Sequence, residues 1–275
     1  MATRAITHGC LPAGKPGKVK FPFRNGHLAG ANARVAGETR GGGAVQNEEN
    51  SNVGTMVSLT AGDGHQLGAY RAEPAGASGH GLVVIQEIFG VNGHIRGVAD
   101  GFAADGFTVL APALFDRVSP GIELGYEDAD VAEGREIRAK VELDQALADV
   151  TAAVRALADE GRQVGVVGYC WGGSLAWAAA TRIDGVACSV SYYGGNVPDM
   201  ADERPKCPIL LHFGETDHSI PMDRVEAFRA AQPDLPVHIY PAGHGFNCEQ
   251  RGSYHAESAA TARERSLAFL REHLG

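Results

Sequence analysis

The sequence predicts an α/β protein with a mostly parallel central sheet and helices on both of its faces. Two observations carry this prediction. From Met56 onward, short apolar runs of strand length alternate with longer segments whose apolar residues recur at helical spacing, the order that winds a parallel sheet. The run at residues 82–86 is also almost continuously apolar, as in a strand buried on both faces.

Residues 57–60 and 66–71 read as an antiparallel pair joined by a turn at 61–65. The strand at 82–86 leads to a helix with Ile95, Val98, Ala99, Phe102 and Ala103 on one face. A strand at 107–111 follows. Leu143, Ala146, Leu147, Val150, Val154 and Leu157 then mark a long amphipathic helix. Next come a strand at 164–167, a helix at 171–180 and a strand at 186–190. Strands at 208–213 and 237–240 flank a helix near 222–231, and a last helix carries Leu267, Leu270 and Leu274. The 18 residues 164–181 carry no charge, which approaches membrane-spanning length. Four glycines inside the stretch favour a strand, a tight turn and a buried helix instead.

Residues 1–55 differ from the rest. They hold ten glycines, two aromatics (Phe21 and Phe23) and no persistent period, so a disordered N-terminal extension is expected ahead of a domain at 56–275. The absence of acids before Glu38 would suit an organelle transit peptide, the absence of serine before Ser51 does not, and Met56 could be the true start. The segment carries a balance of +4 and the remainder −13 within a net charge of −9. So acidic a domain is not expected to bind nucleic acid or an anionic membrane, and an anionic substrate would need a few well-placed arginines. Five cysteines, odd in number and without a CxxC pair, fit free thiols in a reducing compartment.

The strongest chemical signal is Gly168-Tyr169-Cys170-Trp171-Gly172, set where a strand turns into a helix. This is the nucleophile-elbow pattern with cysteine in the serine position. The turn lifts the side chain above the sheet at a helix N-terminus, which favours a thiolate; a buried structural cysteine is the plain alternative. A nucleophile needs a base, and the base an orienting acid. Asp217 follows the strand at 208–213 and His244 follows the strand at 237–240, 47 and then 27 residues on. Nucleophile, acid and base in that chain order are the triad of the α/β-hydrolase fold. His218, directly after the acid, is expected to face solvent. In this fold the loop after the 82–86 strand and the residue after the nucleophile supply the oxyanion-hole N–H groups, here Ile88 and Trp171. Glu87 abuts an apolar strand end and points toward the pocket, unless it is only a solvated terminus.

Gln86-Glu87-Ile88-Phe89-Gly90-Val91-Asn92, Gly168–Gly173 (GYCWGG) and Gly243–Phe246 (GHGF) together resemble the dienelactone hydrolases, or carboxymethylenebutenolidases, over about residues 56–275. The resemblance implies a cytoplasmic, monomeric, cofactor-free hydrolase that opens a cyclic ester bearing a carboxylate. It implies that Glu87 holds the resting thiol and swings to an arginine when substrate arrives. It also puts the carboxylate-binding arginine at Arg117, where a solvated loop arginine is the alternative. The family's second arginine, four residues after the histidine, is replaced by Cys248, with Arg251 three residues further on. That change leaves open a general carboxylesterase or a hydrolase of another lactone. An acyltransferase and a redox-sensing or binding protein using Cys170 are the remaining readings. Cys248 near His244 has no second Cys/His pair at ligand spacing, so no metal is expected.

Overall fold

The structure is a computed structural model that describes residues 54–76 and 79–275. The expectation of disorder over residues 1–55 lies outside this range, except that Thr55 already opens the first strand. Eight strands form one sheet: β1 (Thr55–Thr60), β2 (Gln66–Ala72), β3 (His80–Ile85), β4 (Thr108–Pro112), β5 (Gln163–Tyr169), β6 (Val186–Tyr192), β7 (Ile209–Gly214) and β8 (Val237–Tyr240). Their spatial order is β1-β2-β4-β3-β5-β6-β7-β8. β2 runs antiparallel to β1 and β4, and every other pairing is parallel.

The interior of β3 shows why such strands read as unbroken apolar runs. Leu82 and Val84 belong to one buried cluster, Val83 and Ile85 to the other, and all four are inaccessible to solvent. Successive side chains point to opposite faces, and both faces are covered. The first cluster ties the sheet to α1 (Gly93–Ala104) and α6 (Ala256–Leu274) through Ile95, Phe102, Ala262 and Leu270. The second ties it to α3 (Leu143–Asp159) and α4 (Trp171–Arg182) through Val150, Val154, Leu175 and Ala179. α4 is buried along almost its whole length, which explains the uncharged stretch at 164–181. No helix among the described residues is long and apolar enough to cross a membrane. Between β7 and β8 lies α5 (Met222–Ala231).

One helix is not foreshadowed by the sequence pattern. α2 (Asp128–Arg138) buries only Gly134 and Ile137, too few apolar positions to set up a period. It begins in a capping box between Glu127 and Asp130, which satisfies N–H groups that would otherwise be orphaned. Because β3, β5, β7 and β8 are parallel, the residues just beyond their C-terminal ends emerge at one edge of the sheet. Glu87, Cys170, Asp217 and His244 all occupy such positions, the edge where open α/β sheets bind ligands.

Candidate active site

Cys170 is the single residue between β5 and α4, with φ 55° and ψ −114°. This is a sparsely populated conformation for a non-glycine residue. The turn closes so tightly that a Cβ on Gly168 would lie 1.9 Å from the Gly172 carbonyl oxygen, and one on Gly172 2.4 Å from that of Ile85. Glycine is the residue that tolerates such approaches. The Cys170 N–H donates to the Tyr192 carbonyl at 3.0 Å, which fastens the turn to the neighbouring strand.

The Sγ of Cys170 lies 3.1 Å from His244 Nε2, and His244 Nδ1 lies 2.7 Å from Asp217 Oδ2. The other carboxylate oxygen of Asp217 accepts from the Ser219 and Ile220 N–H groups at 2.8 and 3.2 Å. The acid is thereby locked by its own turn while it orients the imidazole. Burial works against charge on His244, but the charge on Cys170 and the bond to Asp217 outweigh it and push its pKa up to about 10. Tyr193 packs edge-on against the imidazole, with ring centroids 5.2 Å apart. His218 is exposed, as expected.

Glu87 is 1% exposed. Its Oε1 accepts from Arg251 Nη1 at 3.2 Å, and the Arg251 guanidinium also sits 5.6 Å from the centre of the Phe89 ring. Glu87 thus turns toward an arginine while Cys170 turns toward His244. A cavity of about 330 Å³ reaches Cys170, His244, Ile88, Trp171 and Arg251. Among the described residues nothing accepts a hydrogen bond from the backbone N–H of Ile88 or Trp171. A larger hollow of about 510 Å³, lined by Ser58, Asp63, Thr151 and Arg155, holds no cysteine or histidine among the described residues.

The family model of dienelactone hydrolases matches residues 67–274. The chain belongs to the dienelactone hydrolase family. The carboxymethylenebutenolidase of Pseudomonas putida is 35% identical over 225 residues, covering 78% of this chain and 94% of that protein. A Klebsiella pneumoniae crystal structure, provisionally named a dienelactone hydrolase, is 32% identical with a TM-score of 0.69, covering 79% of this chain and 99% of its own. A Pyrococcus furiosus esterase, 17% identical with a TM-score of 0.59 over 81% of this chain and 92% of its own, shares the α/β-hydrolase fold. Membership in this family makes the chain a hydrolase of ester bonds.

Arg117 does not reach the catalytic cavity, among whose lining residues it is absent. Its Nε and Nη2 bond Asp149 at 2.9 and 2.6 Å, and its Nη1 bonds Asp63 at 2.6 Å. Asp149 is fully buried, and a buried carboxylate needs a fixed cation beside it; that demand holds Arg117 in the α3–β1 region. The arginines that line the cavity besides Arg251 are Arg135 and Arg138 of α2. Neither forms an ion pair among the described residues. An Arg-x-x-Arg pair sits on one helical face, the signal in the sequence that could have marked them. Cys248, which stands in place of the second family arginine, is buried beside Glu87 and His94, a residue 154 positions away in the chain.

Proposed function

We propose that this protein is a monomeric cytoplasmic hydrolase that opens small carboxylate-bearing lactones through a thioester on Cys170, with no cofactor in the chemical steps. The reading rests chiefly on the continuous chain Cys170 Sγ–His244–Asp217, with contacts of 3.1 and 2.7 Å at the mouth of a closed turn. The Cys170 thiolate attacks the carbonyl carbon, and the N–H groups of Trp171 and Ile88 receive the oxyanion. The tetrahedral intermediate collapses, the ring C–O bond breaks, and the leaving oxygen takes a proton from His244. Neutral His244 then draws a proton from water, which attacks the thioester. The thiolate leaves and the product departs as a carboxylate, with Asp217 holding the imidazole in one tautomer throughout.

Glu87 acts as the control on the thiol, and its pairing with Arg251 matches the arrangement in which the thiol is released for attack. The substrate carboxylate faces Arg135 and Arg138, whose permanently charged, forked guanidiniums suit it. The test is turnover of carboxylate-bearing lactones beside uncharged esters of equal size. A preference for the anionic substrates is expected. It should shrink in the Arg135→Ala/Arg138→Ala double variant by about 1.5–3 kcal/mol, the scale of charged hydrogen bonds, or roughly 10- to 100-fold in kcat/KM. Equal losses on charged and neutral esters would assign α2 a structural role only.

A further inference from the structure

We propose that Glu87, His94 and Cys248 form a buried site for a divalent cation of zinc type. The three side chains come from the loop after β3, the first turn of α1 and the loop after β8. They are 1%, 2% and 0% exposed. One ligand atom from each lies within 4.8 Å of the other two. In a tetrahedral zinc site, bonds of about 2.0–2.3 Å leave ligand atoms about 3.5 Å apart, so closing around an ion asks for side-chain shifts on the order of 1 Å.

Two features beyond proximity point to a ligand. Glu87 gives Oε1 to Arg251, and its buried Oε2 has no hydrogen-bond partner among the described residues. His94 sets Nδ1 against the Glu249 carboxylate at 3.0 Å, and its buried Nε2 has only the Cys248 sulfur beside it, without a hydrogen bond of ordinary geometry. Buried polar atoms are almost always satisfied, so two such atoms beside one thiol are unusual. The His94–Glu249 contact is the arrangement in which a carboxylate takes the Nδ1–H, orients the ring and leaves Nε2 to bind metal.

The donor set of one carboxylate oxygen, one imidazole nitrogen and one thiolate suits a borderline-soft ion and not magnesium or calcium. On binding, Cys248 releases its thiol proton; the thiolate and the carboxylate then balance the two positive charges of the ion. Of the three side chains, His94 borders a space other than the catalytic cavity. This hollow of about 190 Å³, lined by His94, Tyr169, Asn247 and Glu249, shares no lining residue with that cavity. A bound ion would hold Glu87 by Oε2 while Arg251 holds Oε1, keeping the carboxylate off the thiol. That consequence rests on the proposed role of Glu87, whereas the site itself does not.

The test uses the full chain, stripped with chelator and then loaded with Zn²⁺ or Co²⁺. Elemental analysis after gel filtration should give one metal per chain, and the cobalt form should show thiolate-to-metal charge-transfer absorption. Both signals should persist in Cys170→Ala, which excludes the catalytic thiol as ligand. The charge-transfer band should vanish in Cys248→Ala. Glu249→Gln changes a side chain that is 56% exposed, so the fold should be retained, and it should weaken binding about 10- to 100-fold. No stoichiometric metal in the wild-type chain would overturn the proposal and leave the cluster holding only protons. Binding that survives Cys248→Ala but is lost in Cys170→Ala would overturn it as well. These readouts do not depend on turnover, so failure of the lactone assay and failure of the metal site are distinguishable.

Discussion

His244 carries its proton more tightly in the folded protein than a free histidine does, because the charge on Cys170 and the Asp217 carboxylate outweigh the burial that opposes it. The unfolded chain titrates near 6.5, the folded one at about 10. Stability from this pairing is therefore fully present below pH 6.5 and is lost as the pH rises through about 10. Acylation needs the imidazolium to protonate the leaving oxygen, so kcat/KM should hold through neutral pH and fall only on a limb near 10. Cys170→Ser removes the thiolate charge, and NMR titration should find the His244 pKa well below its wild-type value. An unchanged pKa would mean that Cys170 does not carry the charge assigned to it. Arg117 offers a second prediction at this scale. Arg117→Ala leaves Asp149 buried without its cation and should destabilise the fold by about 3–5 kcal/mol, read from denaturant midpoints. The ratio of kcat/KM for anionic and neutral esters should not change, and a selective loss on anionic substrates would return Arg117 to the binding site.

At the scale of elements, what the sequence reveals depends on burial. β3 and β5 are legible because both faces of each strand are covered, so nearly every position must be apolar. α3 is legible because one face is apolar. α2 is not, since its buried face is small and most of its remaining residues are charged; yet it lines the cavity with Val131, Arg135 and Arg138. Its seating depends on Gly134, where a Cβ would lie 2.1 Å from the Ile88 carbonyl oxygen. Gly134→Ala should push α2 away or shift Ile88 and its N–H. Loss of one oxyanion donor costs about 10²–10³ in kcat; a displaced donor should cost at least roughly tenfold in this variant, with the circular dichroism spectrum retained. Full activity in Gly134→Ala would separate the Ile88 loop from oxyanion stabilisation.

Across the whole molecule, the triad was legible because each member follows its own strand in the chain order of the fold. The partners of Arg117 and the Glu87–His94–Cys248 cluster were not, because they depend on pairings between loops and helices far apart in sequence. Every described residue lining the catalytic cavity lies at position 88 or later, so a chain beginning at Gly54 should keep the kcat/KM of the full one. Starting at Met56 instead removes the bond from the Gly54 N–H to the Tyr70 hydroxyl and the pairing of Thr55 with Arg71, and should lower Tm. A changed KM on removal of residues 1–53 would contradict this. The central claim is that Cys170 is acylated during turnover, and mass spectrometry of the enzyme quenched during reaction with an activated ester tests it most directly. The expected result is a chain heavier by one acyl group, with peptide mapping placing a hydroxylamine-labile thioester on Cys170 and no adduct in Cys170→Ala. An acyl group found instead on Ser174 or Ser219, hydroxyl side chains in the same cavity, or undiminished turnover in Cys170→Ala, would contradict it.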